Sequence, residues 1–270
     1  GSNSNNMIIY GHRGARGEAP ENTLVGFRIA YRHGIRHFEL DVQLSSDGVP
    51  VVVHDITVDR TTDQEGKVAN FTAAQLAAMD ARQDTTPWPE TIGIPTLEEV
   101  LDACPEVRHY QLEVKPDARS RLNVLCNRLT ELIQRRGLFE TVVVTSSDAW
   151  FLQQIKRRNR KIHTGYVAGR RFPRPVATAR RLHCSYLIPS WRICSPELVS
   201  QAQRLNMQVS VWTVNRIHDM LAMEAMGVNS IITDYPTSTH IYFDNRMVKL
   251  PRSAEVASDN SRSPSAEAKA

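Results

Sequence analysis

Three carboxylates, two histidines and two cations stand in short β-rich runs of this 270-residue chain, at spacings that would gather them. Glu39 and Asp41 lie two apart in Phe38-Glu39-Leu40-Asp41-Val42. Glu113 and Lys115 lie two apart in Gln111-Leu112-Glu113-Val114-Lys115. Residues i and i+2 of a strand share a face, so each pair projects together. The opposite-parity residues Phe38, Leu40, Val42, Leu112 and Val114 are all apolar. That argues against an exposed edge strand and for strands covered by helices, where a charged side chain needs partners. Three carboxylates crowded into one space raise one another's pKa unless a cation lies between them. Ligation by oxygen alone, with no cysteine in the set, favours Mg2+ or Ca2+ over zinc.

His12 ends the run Ile8-Ile9-Tyr10-Gly11, and His54 ends Val51-Val52-Val53. Either histidine alone reads as structural. Beside a carboxylate cluster, two imidazoles allow one to remove a proton while the other delivers one, which suits displacement at phosphorus. Arg13, with its planar fork, and Lys115, as a point charge, would neutralise non-bridging phosphate oxygens. Together the residue types describe phosphodiester chemistry.

Elements able to hold such a set follow from the periodicity. Strand-like runs are expected at 8–11, 37–42 with a companion at 49–54, 110–114, 141–146, 163–167, 186–189, 208–214 and 230–233. Helical runs fall at 23–33, 97–103, 120–136, 150–157, 175–181, 196–205 and 217–226, with Gly34, Gly137 and Gly227 at expected stops. Counting the companion with its strand gives eight strands in a βαβ rhythm, the pattern of a (β/α)8 TIM barrel whose catalytic groups stand at the C-terminal strand ends. Residues 55–95 interrupt the rhythm and read as a small insertion after the second strand, carrying a short helix near 72–80. The barrel is expected over residues 7–250. Residues 1–6 read as an appended remnant and 251–270 as a disordered tail.

With the motifs in order, the chain resembles the glycerophosphodiester phosphodiesterase domain family. The fragments are His12-Arg13-Gly14 with Ala19-Pro20-Glu21-Asn22-Thr23, then Glu39-Leu40-Asp41-Val42, Asp47-Gly48, His54-Asp55, Asp59-Arg60-Thr61-Thr62 and Gly66-Lys67-Val68. Ile94-Pro95-Thr96-Leu97-Glu98-Glu99, Glu113-Val114-Lys115, Trp212-Thr213-Val214-Asn215 and Thr233-Asp234-Tyr235-Pro236 follow. The resemblance implies a hydrolase that releases sn-glycerol 3-phosphate and an alcohol from small-molecule glycerophosphodiesters. It implies Glu39, Asp41 and Glu113 as metal ligands, His12 and His54 as the acid-base pair, Arg13 and Lys115 as phosphate contacts, and Trp212 as a wall of the glycerol pocket. Pro20-Glu21-Asn22-Thr23 reads as a helix start, Asp234 as an aid to ordering the last strand-loop junction, and Tyr235-Pro236 as a turn.

Composition agrees. At 41% hydrophobic and 23% charged residues, the chain is neither disordered, collagen-like nor a disulfide scaffold. No run reaches the ~18 apolar residues of a membrane span. The polar N-terminus shows no export signal, so a cytoplasmic setting is expected. The four cysteines form no CxxC and read as free thiols. The net charge of +4 is unevenly spread: between Asp148 and Glu197 there is no acidic residue, while Lys and Arg accumulate from Lys156 to Arg192. This stretch reads as solvated helix faces or as a positive rim for anions. Two alternatives to the leading function remain: lysophospholipase D activity, which needs an acyl groove that Phe71, Leu76, Met79 and Trp88 could line, although packing of the insertion onto the barrel is the preferred reading of these residues, and a non-catalytic anionic-lipid binding module. Nucleic acid is not an expected partner, since the basic stretch carries no recognition motif.

Overall fold

The strands of the computed structural model, which describes residues 6–85 and 87–246, are β1 (Ile8–His12), β2 (His37–Leu44), β3 (Pro50–Val52), β4 (His109–Val114), β5 (Val142–Ser146), β6 (Thr164–Ala168), β7 (Tyr186–Pro189), β8 (Gln208–Val211) and β9 (Ser230–Thr233). The helices are α1 (Leu24–Arg32), α2 (Ala73–Ala77), α3 (Leu97–Ala103), α4 (Arg119–Arg136), α5 (Ala149–Arg158), α6 (Pro175–Arg181), α7 (Pro196–Arg204), α8 (Ile217–Ala225) and α9 (Pro236–Arg246). All pairings between strands are parallel except that of β3 with β2, which is antiparallel. β1 pairs with both β2 and β9, which closes an eight-stranded barrel with helices between successive strands. The expected (β/α)8 fold is the observed one.

Local chemistry sets the elements. β5 is Val-Val-Val-Thr-Ser and buried throughout, as a parallel strand covered on both sides must be. Helix starts carry oxygen caps: Thr23 accepts from the Gly26 N–H, Thr96 and Glu99 form a capping box, and Ser195 caps α7 ahead of Pro196. Gly137 ends α4 at φ 63°, a conformation that costs glycine little. Between helices and strands lies the apolar layer, in which Phe27, Phe38, Leu40, Leu112 and Ile133 are fully buried. Inside the barrel, Gln111 donates to Ser210 Oγ at 2.8 Å, and Tyr10 shares a 2.8 Å hydrogen bond with His109 Nδ1. Burial pushes the imidazoles of His37 and His109 down to about 4, so this end of the barrel carries neutral rings.

Three features depart from the sequence reading. The companion run is the antiparallel strand β3, shorter than expected, and it folds back on β2 outside the barrel ring. The insertion has its own core of Val53, Val58, Val68, Leu76, Met79 and Ile94, with Phe71 packed against it. Phe71, Leu76 and Met79 thus pack, as the sequence reading preferred, but within the insertion's own core, and Trp88 is half-buried. Tyr235-Pro236 opens the helix α9 where a turn was expected. Its Thr- and Ser-containing start is a poor helix former, but Pro236 suits a first helical turn, and the Thr237 N–H donates to Glu18 Oε1 at 2.8 Å. Thr239 is buried within α9, so tertiary contact overrides propensity here. All four cysteines are free. The expected tail at 251–270 lies outside the described residues.

Candidate active site

Strand register assembles the site. His12 is level with Glu39 across β1 and β2, and Asp41 is level with Glu113 across β2 and β4. Parallel neighbours at one level point to the same side, so the ends of three adjacent strands aim into one space. One carboxylate oxygen from each of Glu39, Asp41 and Glu113 lies within 4.8 Å of the others. Glu39 and Asp41 are 3% and 1% exposed, and Glu113 is half-buried. Burial, then the charges of Asp41 and Glu113, push the Glu39 carboxyl well above the usual range. Its Oε1 is buried and has no hydrogen-bond partner among the described residues. A crowded all-oxygen set with an orphaned acceptor suits a hard divalent cation held by these three residues.

His54 reaches this space by a different route. β2 runs past the mouth, turns at Ser45–Val49 and returns as β3, whose Val52 is level with Val42. The Val53 N–H then donates to Asp41 O at 3.1 Å, which brings His54 back to the level of the carboxylates. The other histidine depends on a tight turn after β1. A Cβ on Gly11 would stand 2.0 Å from Gly14 O. Arg13 and Gly14 then take left-handed φ values of 51° and 83°. Such backbone at a non-glycine residue is strained and concentrates at functional sites.

Each histidine is oriented by an aspartate. His12 Nδ1 donates to Asp234 Oδ1 at 2.6 Å, and its Nε2 is 4.0 Å from Glu39 Oε2. His54 Nδ1 donates to Asp55 Oδ1 at 2.7 Å. Burial opposes ionisation of Asp234, but the hydrogen bonds from His12 and Asn215 hold its carboxyl below the usual value. Asp55 is also held below the usual value, chiefly by its hydrogen bonds from Arg60. With an acceptor on each Nδ1, each ring presents Nε2 outward.

The two dyads share a common support. Arg60 donates to Asp55 at 2.9 Å and to Glu21 at 2.9 and 3.1 Å. Glu21 also accepts from Arg13 at 2.8 Å and from Arg16 at 3.4 Å, and Arg16 reaches Asp234 at 3.5 Å. Despite its burial, Glu21 is held down to about 2 by Arg60 and Arg13. Arg13 Nε stands 3.6 Å from Asp41 Oδ2, and it is a buried donor without a hydrogen-bond partner. Lys115 Nζ lies 2.7 Å from Glu113 Oε2 and 3.8 Å from Asp41 Oδ1.

The expected residues His12, Arg13, Glu39, Asp41, Glu113 and Lys115 thus meet in one network, with His54 beside it. Trp212 stands three strands round from β2, half-buried, with its indole N–H donating to Ile188 O at 2.9 Å and its ring packed among the barrel's inner side chains. Sequence reasoning read Glu21 only as part of a helix start, whereas α1 begins at Leu24 with Thr23 as its cap and Glu21 pairs with Arg13 and Arg60; it gave no role to Asp55 and Arg60. Asn22, read with Glu21 as part of the helix start, donates to Asp41 Oδ2 at 3.1 Å, and Asn215, which holds Asp234, was passed over. Asp234 was read as ordering a junction, whereas it also orients His12. The one available signal was their recurrence inside the motif fragments, for no local spacing links Asp234 to His12.

A barrel of this topology with an acidic cluster and two histidines at its mouth has the groups that phosphoric diester hydrolysis needs. The chain belongs to the Glycerophosphoryl diester phosphodiesterase family, which it matches over residues 12–238. Among its relatives is the glycerophosphodiester phosphodiesterase of Caldanaerobacter subterraneus, 32% identical over 85% of this chain and 94% of that protein. Mouse glycerophosphodiester phosphodiesterase 1 is 29% identical over 83% of this chain and 76% of its own. An Oleispira antarctica phosphodiesterase, solved with the product sn-glycerol-3-phosphate, superposes with a TM-score of 0.77 at 26% identity, covering 88% of this chain and 96% of that one. The chain is an enzyme of this class, with glycerophosphodiester phosphodiesterase activity.

Proposed function

We propose that the enzyme hydrolyses glycerophosphodiesters to sn-glycerol 3-phosphate and an alcohol in a metal-dependent reaction, with His12 and His54 as the acid-base pair. The observation that carries this reading is the matched pair of Asp-His dyads, Asp234–His12 and Asp55–His54, beside a three-carboxylate cluster. Glu39, Asp41 and Glu113 would hold a divalent cation, Mg2+ or Ca2+, which supplies positive charge opposite the negative charge developing on the phosphoryl oxygens. The Arg13 guanidinium, with an unused N–H, and the Lys115 ammonium neutralise the same oxygens. One imidazole takes at Nε2 the proton of the attacking hydroxyl, that of a water or of the glycerol 2-hydroxyl, as the new P–O bond forms. The other donates its Nε2 proton to the departing alkoxide as the old P–O bond breaks; attack by water gives glycerol 3-phosphate directly, while attack by the 2-hydroxyl gives a cyclic phosphate that a water then opens, so either route consumes one water. Both aspartates stabilise the imidazolium form and fix the tautomer. Trp212 serves as a wall for the glycerol moiety.

The test is release of glycerol 3-phosphate from glycerophosphocholine and glycerophosphoethanolamine with Mg2+, with Ca2+ and with excess chelator, and lysophosphatidylcholine as a parallel substrate. Metal-dependent release from the deacylated diesters is expected. Release only from the lysolipid would replace this reading with a lysophospholipase D one, and undiminished release in chelator would remove the metal from it.

A further inference from the structure

Four of the seven large apolar side chains exposed among the described residues stand in loops at the barrel's C-terminal mouth: Ile56, Phe172, Trp191 and Tyr235. Phe172 is the most exposed of them, at 73%. It sits in the loop from β6 to α6, flanked by exposed Arg170, Arg171 and Arg174. In the next loop around the barrel, Trp191 carries the Arg192 guanidinium over its ring at 5.5 Å. Among the described residues Arg170, Arg171 and Arg174 have no ion-pair partner, and no carboxylate occurs in the chain between Asp148 and Glu197. The charge continues down the flank, where Arg171, Arg174, Arg180, Arg181 and Arg204 border a groove of about 860 Å3 between α6 and α7, with Glu197 as its one carboxylate. The insertion side of the mouth differs, carrying Asp59, Asp63 and Glu65.

We infer that the β6–α6 and β7–α7 loops dock this barrel, mouth inward, on the surface of an anionic phospholipid bilayer. An aromatic tip ringed by unpaired arginines matches such an interface: the ring enters the headgroup layer while the guanidinium groups meet lipid phosphates. A nucleic-acid duplex would satisfy the arginines through its phosphates but keeps its bases stacked on one another, leaving the protruding phenyl group and the half-exposed indole without an apolar partner; a single strand, whose bases could stack on them, is the competitor in the test. Docking on one side of the mouth leaves the insertion side open to solvent. Only the benefit of bringing the mouth to a lipid surface rests on the phosphodiesterase reading; the docking itself does not.

The test is co-sedimentation of the full chain with phosphatidylcholine vesicles, with and without phosphatidylglycerol, at rising salt, and with a single-stranded oligonucleotide as competitor. Salt-sensitive binding to the anionic vesicles is expected, with little binding to phosphatidylcholine alone. Arg170→Ser with Arg171→Ser weakens it about 25-fold, at roughly fivefold per arginine, and Phe172→Ser weakens it roughly tenfold. All three side chains are exposed, and both variants keep wild-type turnover of glycerophosphocholine, which shows that they fold. Equal binding to both vesicle types, unchanged binding by the variants, or displacement from vesicles by the oligonucleotide would overturn the inference. Failure of glycerophosphocholine turnover in the wild type would strike the phosphodiesterase reading and leave the vesicle result standing.

Discussion

Replacing Glu39 by Gln keeps the shape of the buried side chain while removing one of three crowded charges. Two unit charges 4.8 Å apart repel by about 3.5 kcal/mol at an effective dielectric constant near 20. In ion-free protein burial, with that repulsion added to it, raises the Glu39 carboxyl well above its usual range. Glu39→Gln in chelator should therefore melt no lower than wild type at pH 8. The bound state behaves oppositely. An ion present at about 100 times its Kd stabilises the fold by about 2.7 kcal/mol, a rise in Tm of roughly 5–10 °C for a chain of this size. Most of that rise should vanish in Glu39→Gln and in Asp41→Asn. Differential scanning fluorimetry in chelator, Mg2+ and Ca2+ reads both effects, and calorimetric titration checks the affinity. A full ion-induced rise in both variants would refute the ligand assignment.

Three further outcomes separate the roles of neighbouring groups. His12→Ala should keep the ion-induced rise in Tm while losing turnover; a lost rise would place His12 among the ligands. Asp234→Asn should lower kcat about 10²–10⁴-fold with KM and ion affinity retained, because it removes the acceptor that orients His12; unchanged kcat would deny the dyad a part in catalysis. Glu21, 6% exposed at its side chain, is lowered from 4.5 to about 2, so it contributes about 3 kcal/mol of stability above pH 4.5. That contribution declines as pH falls towards 2, since a depressed carboxyl must be protonated against its partners. Acid unfolding followed by circular dichroism should show Glu21→Gln destabilised at pH 7 and less sensitive to acid. An acid transition parallel to that of wild type would show that Glu21 draws no stability from Arg13 and Arg60.

How much was legible follows from the range of each interaction. The pairs Glu39/Asp41 and Glu113/Lys115 were readable because strand alternation is a local, two-residue period, and apolar Phe38, Leu40 and Leu112 mark the covered face. His54 was readable as a strand end, but its arrival at the carboxylates depends on the β2–β3 hairpin register, in which Val53 bonds to Asp41. α9 was missed because its stability comes from packing and not from its residues' helix propensity.

The sequence by itself determined the barrel rhythm, the insertion, the acidic cluster with its two histidines and the basic stretch from Lys156 to Arg192, since residue type and short-range period carry these. Tertiary structure alone decided which group serves which. Closure of the barrel between β1 and β9 sets Asp234 against His12 across 222 residues, and the insertion folds Arg60 onto Glu21 across 39. No local spacing encodes a contact made by closing a ring. Its partners are chosen by strand register and by the requirement that buried charges be paired.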